Sequence, residues 1–497
     1  MGKMHRLTLT RLKVRVHSGQ GEASLDAGPF RADRIPMTRT GRHRVRRRLV
    51  PPAMLAGVTI LLLMTGSNSL RTPPMDDTYI HLVYGNSILS DHPLCYSGSS
   101  PSSGFTSPVW LLPSSLASVF GVGYGPTMLM LLSLLSACLA MLIMEPDSAL
   151  LLVFAGPFLF HSSSGMETAL ACAAVAAAWK WMRDGGGIKS GSLILAWAFL
   201  TRPDLAVLFI PMVISMRDRR FFRIALLAAP SAAIGMIWVL WNLRAAGLPL
   251  PSTFYAKQSI SWFRSAQEGL PGLLKGLLLT SPLLLFAAAV SVKGMLRRGK
   301  KSDEERGRAG MAAAVILLFA SAFALQPNSY FQMRYYVPAL VSAALAAGVW
   351  LRGLGRRRRL NTVILVLSMI PGLVVFGGRR VGASTDVHHI DVLPSEYLLT
   401  VAERDQTVAA ADIGAVRWIT GMEILDLDGL VTPERLPGRD RAGWPFIRDR
   451  SDYLLAFPGQ YSRLVEDAGD DLVFLAGFGS PSSVICGEDS VSLWAVD

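Results

Sequence analysis

Long apolar runs separated by short arginine-rich loops recur through most of this sequence, and no other feature restricts its folding as strongly. A chain inside a bilayer must satisfy its own backbone hydrogen bonds, so a run of roughly 20 apolar residues reads as a spanning helix. Runs of this kind fall near 50–69, 126–145, 147–163, 166–183, 190–203, 203–217, 224–246, 272–292, 309–326, 335–352 and 360–378, about eleven crossings. Of the 497 residues, 51% are hydrophobic and only 17% charged, too apolar for an ordinary soluble domain. The expectation is an α-helical polytopic membrane protein.

Charge placement supplies the orientation. Residues 1–50 carry thirteen Lys/Arg against three Asp/Glu, whereas residues 381–497 carry eight Arg against twenty Asp/Glu. Such a division reports topology and excludes a nucleic-acid-binding face as the reason for the overall +13. The loops "RDRRFFR" (217–223), "KGMLRRGKKSDEERGR" (293–308) and "RGLGRRRR" (352–359) are expected in the cytoplasm. Counting outward from them, the amino terminus is cytoplasmic and everything after 378 is extracytoplasmic. Residues 1–49 read as a basic, disordered cytoplasmic segment, not a cleavable signal peptide, because no apolar core directly follows a short basic start.

The stretch "SPVWLLPSSLASVFG" (107–121) is apolar, yet a crossing there would put every later arginine-rich loop outside. It is expected as an interfacial helix within one long first external loop, 70–125. From 379 to 497 the composition turns acidic and α/β, with strands expected at "TVAAADIG", "MEILDLDGLV" and "DLVFLAGF" and a helix or turn at "AVRWITG". This reads as an extracytoplasmic domain with its own small core. The four cysteines, Cys95, Cys138, Cys172 and Cys486, show no metal-like spacing. Cys95 and Cys486 both fall in segments expected to face an oxidising compartment, which leaves a bridge between them open.

Polar islands interrupt the external side. "MDDTYIHLVYGN" begins with Asp76 and Asp77, adjacent carboxylates that raise each other's pKa and can divide labour as base and orienting group. They also suit the first turn of a helix. His81, four residues after Asp77, would allow a divalent metal ion at the pair. Glu167 lies at the mouth of one span, and Arg202 with Asp204 at another, where they can simply pair with each other. Lys257 and Arg334 suit a phosphate, and Tyr255, Tyr335 and Tyr336 suit an interface. All these groups are expected on one side of the membrane, without the mid-membrane charge ladder of an ion-coupled transporter.

The motifs "DDTYIHLVYGN", "GFTSPVWLL", "SGMETAL", "TRPDL", "PSTFYAK", "RYYVPAL" and "DIGAVRWITGMEILDLDGLV" occur in that order. In this the chain resembles the bacterial GT-C-type membrane glycosyltransferases related to the actinobacterial cell-wall terminal arabinofuranosyltransferases, over roughly 70–497. It departs from them at Asp204, Ser252 and Thr432, where the family often has Glu, Asn and Asp. The resemblance implies a GT-C-like transmembrane domain at 50–378. It implies inverting transfer of a sugar from a polyprenyl-phosphate donor to a hydroxyl of a cell-envelope glycan, lipid or protein, at the bacterial inner membrane. Asp76 or Asp77 would be the base, and Arg334, Lys257 and Arg202 would hold the donor phosphate. Tyr79, Asn86, Thr106, Trp110, Glu167, Asp204, Tyr255 and Tyr335 would contact sugar or acceptor. A lipid-linked sugar flippase without transfer chemistry, or a polytopic scaffold, is the alternative.

Overall fold

In a computed structural model, residues 39–66, 68–256, 262–297, 302–436 and 443–497 are described. The described residues from Val45 to Asp497 form one compact unit that holds the bundle and the sheet. The chain opens with α1 (Arg39–Thr65), followed by a segment carrying α2 (Asp77–Ile88) and α3 (Leu111–Ser118). A helical bundle comes next: α4 (Gly121–Ile143), α5 (Pro146–Val153), α6 (Gly156–Ser162), α7 (Thr168–Asp184), α8 (Ile188–Thr201) and α9 (Phe209–Ser215). It continues with α10 (Phe221–Ala246), α11 (Ser252–Ala256), α12 (Trp262–Thr280), α13 (Pro282–Arg297), α14 (Asp303–Leu325), α15 (Tyr330–Met333), α16 (Val337–Gly353) and α17 (Arg358–Val387).

Among the described residues six helices are long and apolar enough to cross a membrane, or seven if α12 and α13 count as one bent span. Their number and apolar length mark a multi-pass membrane protein. The difference from the expected eleven has local causes. The run 147–163 is two short helices, α5 and α6, parted just before Gly156-Pro157. The run 272–292 breaks at Ser281-Pro282, where the chain turns by 85° and the Ser281 hydroxyl accepts from the Leu284 N–H to start α13. The runs 190–203 and 203–217 are helices of under 18 residues.

Burial follows side-chain size. The helices α7 and α16 are rich in alanine and lie in the interior, where small residues let backbones approach. By contrast α10 leaves Met236, Ile237 and Leu240 largely exposed, as a lipid-facing surface would. The segment expected as interfacial is a single turn at 108–110 leading into α3, with Leu112, Leu116 and Val119 exposed along it.

The last long helix does not stop at 378 but runs to Val387, and continues through a π-turn at His388–Val392 into α18 (Leu393–Val401). A five-stranded mixed sheet follows, in the order β2-β1-β3-β5-β4. Strands β1 (Thr407–Ala410), β2 (Glu423–Asp426) and β3 (Tyr453–Ala456) are parallel, while β4 (Leu472–Gly479) and β5 (Ser490–Val496) close one side antiparallel. The helices α19 (Gly414–Thr420), α20 (Trp444–Arg448) and α21 (Ser462–Ala468) complete this layer.

The sheet does not have a core of its own. Tyr79, Leu82, Tyr84, Tyr96, Phe105 and Trp110 of the 70–120 segment share one hydrophobic cluster with Val408, Ile413, Val416, Leu425, Leu454 and Leu493. Hydrogen bonds tie the same seam: Tyr96 Oη donates to the Ile413 carbonyl (2.9 Å), and Gly98 N–H to Glu423 (3.0 Å). The early segment and the carboxy-terminal sheet fold as one layer over the bundle.

A candidate active site at one end of the bundle

Arg334 is the hub of a buried ion network. Its Nη1 donates to Asp77 Oδ2 at 2.7 Å, and its Nη2 to both oxygens of Glu167 at 2.9 and 3.0 Å. Arg334 and Glu167 are only 5% and 2% exposed, so neither charge is tolerable without the other. His81 Nε2 lies 3.5 Å and Arg202 Nη1 3.9 Å from Glu167. Arg202 forms a two-bond pair with Asp204 (3.0 and 3.1 Å) and stacks its guanidinium 4.8 Å from the Tyr335 ring centroid.

The backbone is bent to present these groups. Phe331, Gln332 and Met333 all hold positive φ (49°, 55° and 65°) immediately before Arg334, a run costly for residues with a Cβ. His161 offsets the strain through its Nε2–H, which faces the carbonyls of Phe331 (3.0 Å) and Gln332 (3.3 Å). Opposite, Gly165 adopts φ +79°, and a Cβ there would meet Thr78 Cγ2 at 2.3 Å. That glycine lets Thr78 and Trp110 donate to the Ser164 and Gly165 carbonyls (2.7 and 2.9 Å), which locks the loop before Glu167.

Arg334, Arg202, Glu167 and Asp204 open onto a cavity of about 710 Å³, with Thr106 and Tyr335 also in its wall. The wall mixes these charges with the apolar side chains of Phe199, Leu250, Phe254, Trp262 and Leu325 and with Trp238, Asn242 and Thr253. Phe199 packs edge-on against Trp238, and Arg202 Nη1, Trp238 Nε1, Asn242 Oδ1 and Thr253 Oγ1 are buried without a protein hydrogen bond.

Asp76 faces the other way from its neighbour. Its carboxylate accepts from the N–H groups of Gly414 and Ala415, each at 2.7 Å. It precedes α2, yet its side chain makes no bond to that helix and caps α19 of the carboxy-terminal layer instead. Only glycine fits at 414, since a Cβ would lie 2.4 Å from the Asp76 carbonyl oxygen and 2.6 Å from its Oδ2. Burial pushes the Asp76 carboxyl up to about 7, against the pull of the Ala415 and Gly414 amides, with Asp77 adding to the rise.

The carboxy-terminal layer matches a family described as a domain of unknown function (DUF8728), over residues 388–493. No curated protein sequence matches the chain. Among solved structures it is similar to ArnT from Cupriavidus metallidurans bound to undecaprenyl phosphate. That likeness has a TM-score of 0.57 and 12% identity, covering 89% of this chain and 97% of that one. The same protein in the apo state matches equally well. An Archaeoglobus fulgidus oligosaccharyltransferase tethered with an acceptor peptide matches with a TM-score of 0.50 and 12% identity, over 90% of this chain and 75% of that one. The fold is of the GT-C type.

Within this GT-C fold the sequence-expected residues divide. Asp77, Glu167, Arg202, Asp204, Arg334 and Tyr335 come together, with His81 beside Glu167. Thr106 lines the cavity, and Tyr255 sits edge-on against the cavity residue Phe254. Tyr79 is buried in the shared core and Trp110 in the Gly165 contact, whereas Asn86 is exposed on α2. Lys257 lies outside the described residues. Asp76, Asp77 and His81 turn to three separate partners: the α19 amides, Arg334 and Glu167. The four cysteines are free, Cys95 and Cys486 included. Sequence reading passed over Gly414, Trp238, Asn242 and Thr253. The one available signal was an asparagine inside the otherwise apolar "MIWVLWNL".

Proposed function

We propose that the chain is an inverting glycosyltransferase that moves a sugar from a polyprenyl-phosphate donor to a hydroxyl of a cell-envelope acceptor. The observation that carries this reading is the composition of the 710 Å³ cavity, whose wall sets two guanidinium groups among apolar side chains. An amphipathic ligand, phosphosugar head and prenyl tail, matches such a wall. The GT-C likeness supports the same class, since one similar structure holds undecaprenyl phosphate and another is an oligosaccharyltransferase. With the arginine-rich helix ends in the cytoplasm, the site faces the outer side of the bacterial inner membrane.

In the reaction, Asp77 takes the proton of the acceptor hydroxyl. The freed oxygen attacks the anomeric carbon opposite the phosphate, the bond from that carbon to the phosphate oxygen breaks, and its electron pair leaves with the lipid phosphate. Arg334 and Arg202 stabilise the growing negative charge. Asp77 suits the base better than Asp76, because it is part-exposed beside Arg334 while both oxygens of Asp76 are held by amides. Glu167 and Asp204, each engaged through both oxygens by an arginine, position those arginines. Arabinofuranose is the donor sugar that the sequence resemblance favours.

The test is transfer in nanodiscs from a polyprenyl-phosphate sugar to candidate acceptors. Asp77→Asn is expected to slow transfer about 10²–10⁴-fold with the fold retained. Undiminished transfer would remove Asp77 as base, and donor movement across the bilayer without transfer would replace the enzyme by a flippase.

A further inference from the structure

A second cluster of ligand-type side chains lies away from the Arg334 network, where the last long helix meets the sheet layer. Asp391, Asp412 and Cys486 each offer an atom, and these atoms lie within 4.8 Å of one another. They come from three separate stretches: the π-turn after α17, the loop between β1 and α19, and the connection from β4 to β5. Asp391 is 2% exposed, and its Oδ2, sealed from solvent, makes no hydrogen bond. Among the described residues no arginine, lysine or histidine forms an ion pair with any of the three, and Asp76, Asp428, Asp77 and Asp426 add further negative charge around Asp412. Two carboxyls this close, within hydrogen-bond reach of each other and one with an orphaned buried oxygen, must either share a proton or hold a positive charge between them, and the thiol beside them favours the second.

We propose that Asp391, Asp412 and Cys486 bind a divalent cation of zinc-like softness. Two carboxylate oxygens and a thiolate are a borderline-soft donor set, better suited to Zn²⁺ or Co²⁺ than to Mg²⁺ or Ca²⁺, which take oxygen alone. Zinc–ligand distances of about 2.0–2.3 Å would draw the three groups slightly inward and leave room for a water as fourth ligand. Asp412 begins the Asp-Ile-Gly-Ala turn whose amides hold Asp76, so the ion would fix that turn against the end of the bundle. The site shares no residue with the Arg334 network, although the charge of Asp77 reaches Asp412, and its occupancy can be read without any turnover.

The full chain, purified in nanodiscs, is stripped with chelator, dialysed against Zn²⁺ and assayed for metal, and a parallel sample is loaded with Co²⁺ and its absorption recorded. Stoichiometric zinc and a thiolate-to-cobalt charge-transfer band are expected. Cys486→Ala should abolish the band and weaken zinc binding at least about ten-fold, and Asp391→Asn should weaken it comparably. Zinc should also raise the thermal midpoint of the unaltered protein and not that of Cys486→Ala. Absence of retained zinc, equal zinc in Cys486→Ala, or a cobalt spectrum without the thiolate band would each overturn the proposal. The cobalt spectrum needs only the unaltered protein, so it decides the matter even where a variant fails to fold.

Discussion

The two ends of the bundle handle charge in opposite ways. At the arginine-rich end, Arg183 pairs with Glu145 at 2.7 Å and Arg358 with Asp147, with the arginines about a third to two-fifths exposed. At the other end, Arg334–Glu167 and Arg202–Asp204 are almost wholly enclosed. Exposed pairs contribute little, about 0–1 kcal/mol, because water screens them and side-chain freedom is lost in making them. Enclosed pairs carry a desolvation cost that an apolar replacement would avoid. A fold needing only stability has no reason to keep four enclosed charged groups there, so the enclosed end is the one under chemical constraint.

That contrast can be broken by removing one charge from each end. Glu167→Ala takes from the Arg334 guanidinium the carboxylate it shares two bonds with and is expected to cost roughly 3–5 kcal/mol, read as a lowered thermal midpoint in detergent, along with lost transfer. An unchanged midpoint would mean that water reaches Arg334 and that the two ends are alike. Gly414→Ala forces a methyl group into the Asp76 carboxylate and should cost about 1–3 kcal/mol. Its transfer rate should fall as well, although residue 414 touches neither Arg334 nor the cavity.

A smaller effect concerns pH. The Asp76 carboxyl titrates near 7 in the fold against 3.8 ordinarily, so between those values the folded chain holds a proton the unfolded chain has released. Its contribution to stability is full below about 3.8 and fades as pH rises through about 7. The thermal midpoint should therefore decline between about pH 4 and pH 7 and level off above that. Asp76→Asn should flatten part of that slope; the buried Asp426, also raised to about 7, and Asp391, Asp412 and Asp428, raised by burial too, keep the remainder. Smallest of all, Arg358→Ala or Arg183→Ala at the exposed end should shift stability by about 1 kcal/mol or less.

Legibility in the sequence tracked locality. The apolar runs at α10, α14 and α17 read correctly because lipid contact demands a continuous greasy surface. The break inside 272–292 was present as a Ser-Pro dipeptide, which an apolar count overlooks. Strand β3 was missed because four buried residues in a row have no alternation to betray a strand. Asp77, Glu167, Arg202 and Arg334 stood out singly as charges at helix mouths, but their convergence on one guanidinium is a tertiary fact. The role of Asp76 was the least accessible, since the amides that hold it lie 338 and 339 residues further on. A carboxylate at a helix start suggested a local cap, and the chain used it to cap a remote helix.

The shared core of the early segment and the late sheet imposes an order on biosynthesis. Asp77 leaves the ribosome long before Gly414, and β5, which lies between β3 and β4, emerges last of the strands. Until that strand inserts, Asp76 and the Gly414 and Ala415 amides that hold it stand in a half-built layer. Chains cut short before Ser490 would thus lack the strand between β3 and β4 and leave the core that the early segment shares with the sheet unfinished.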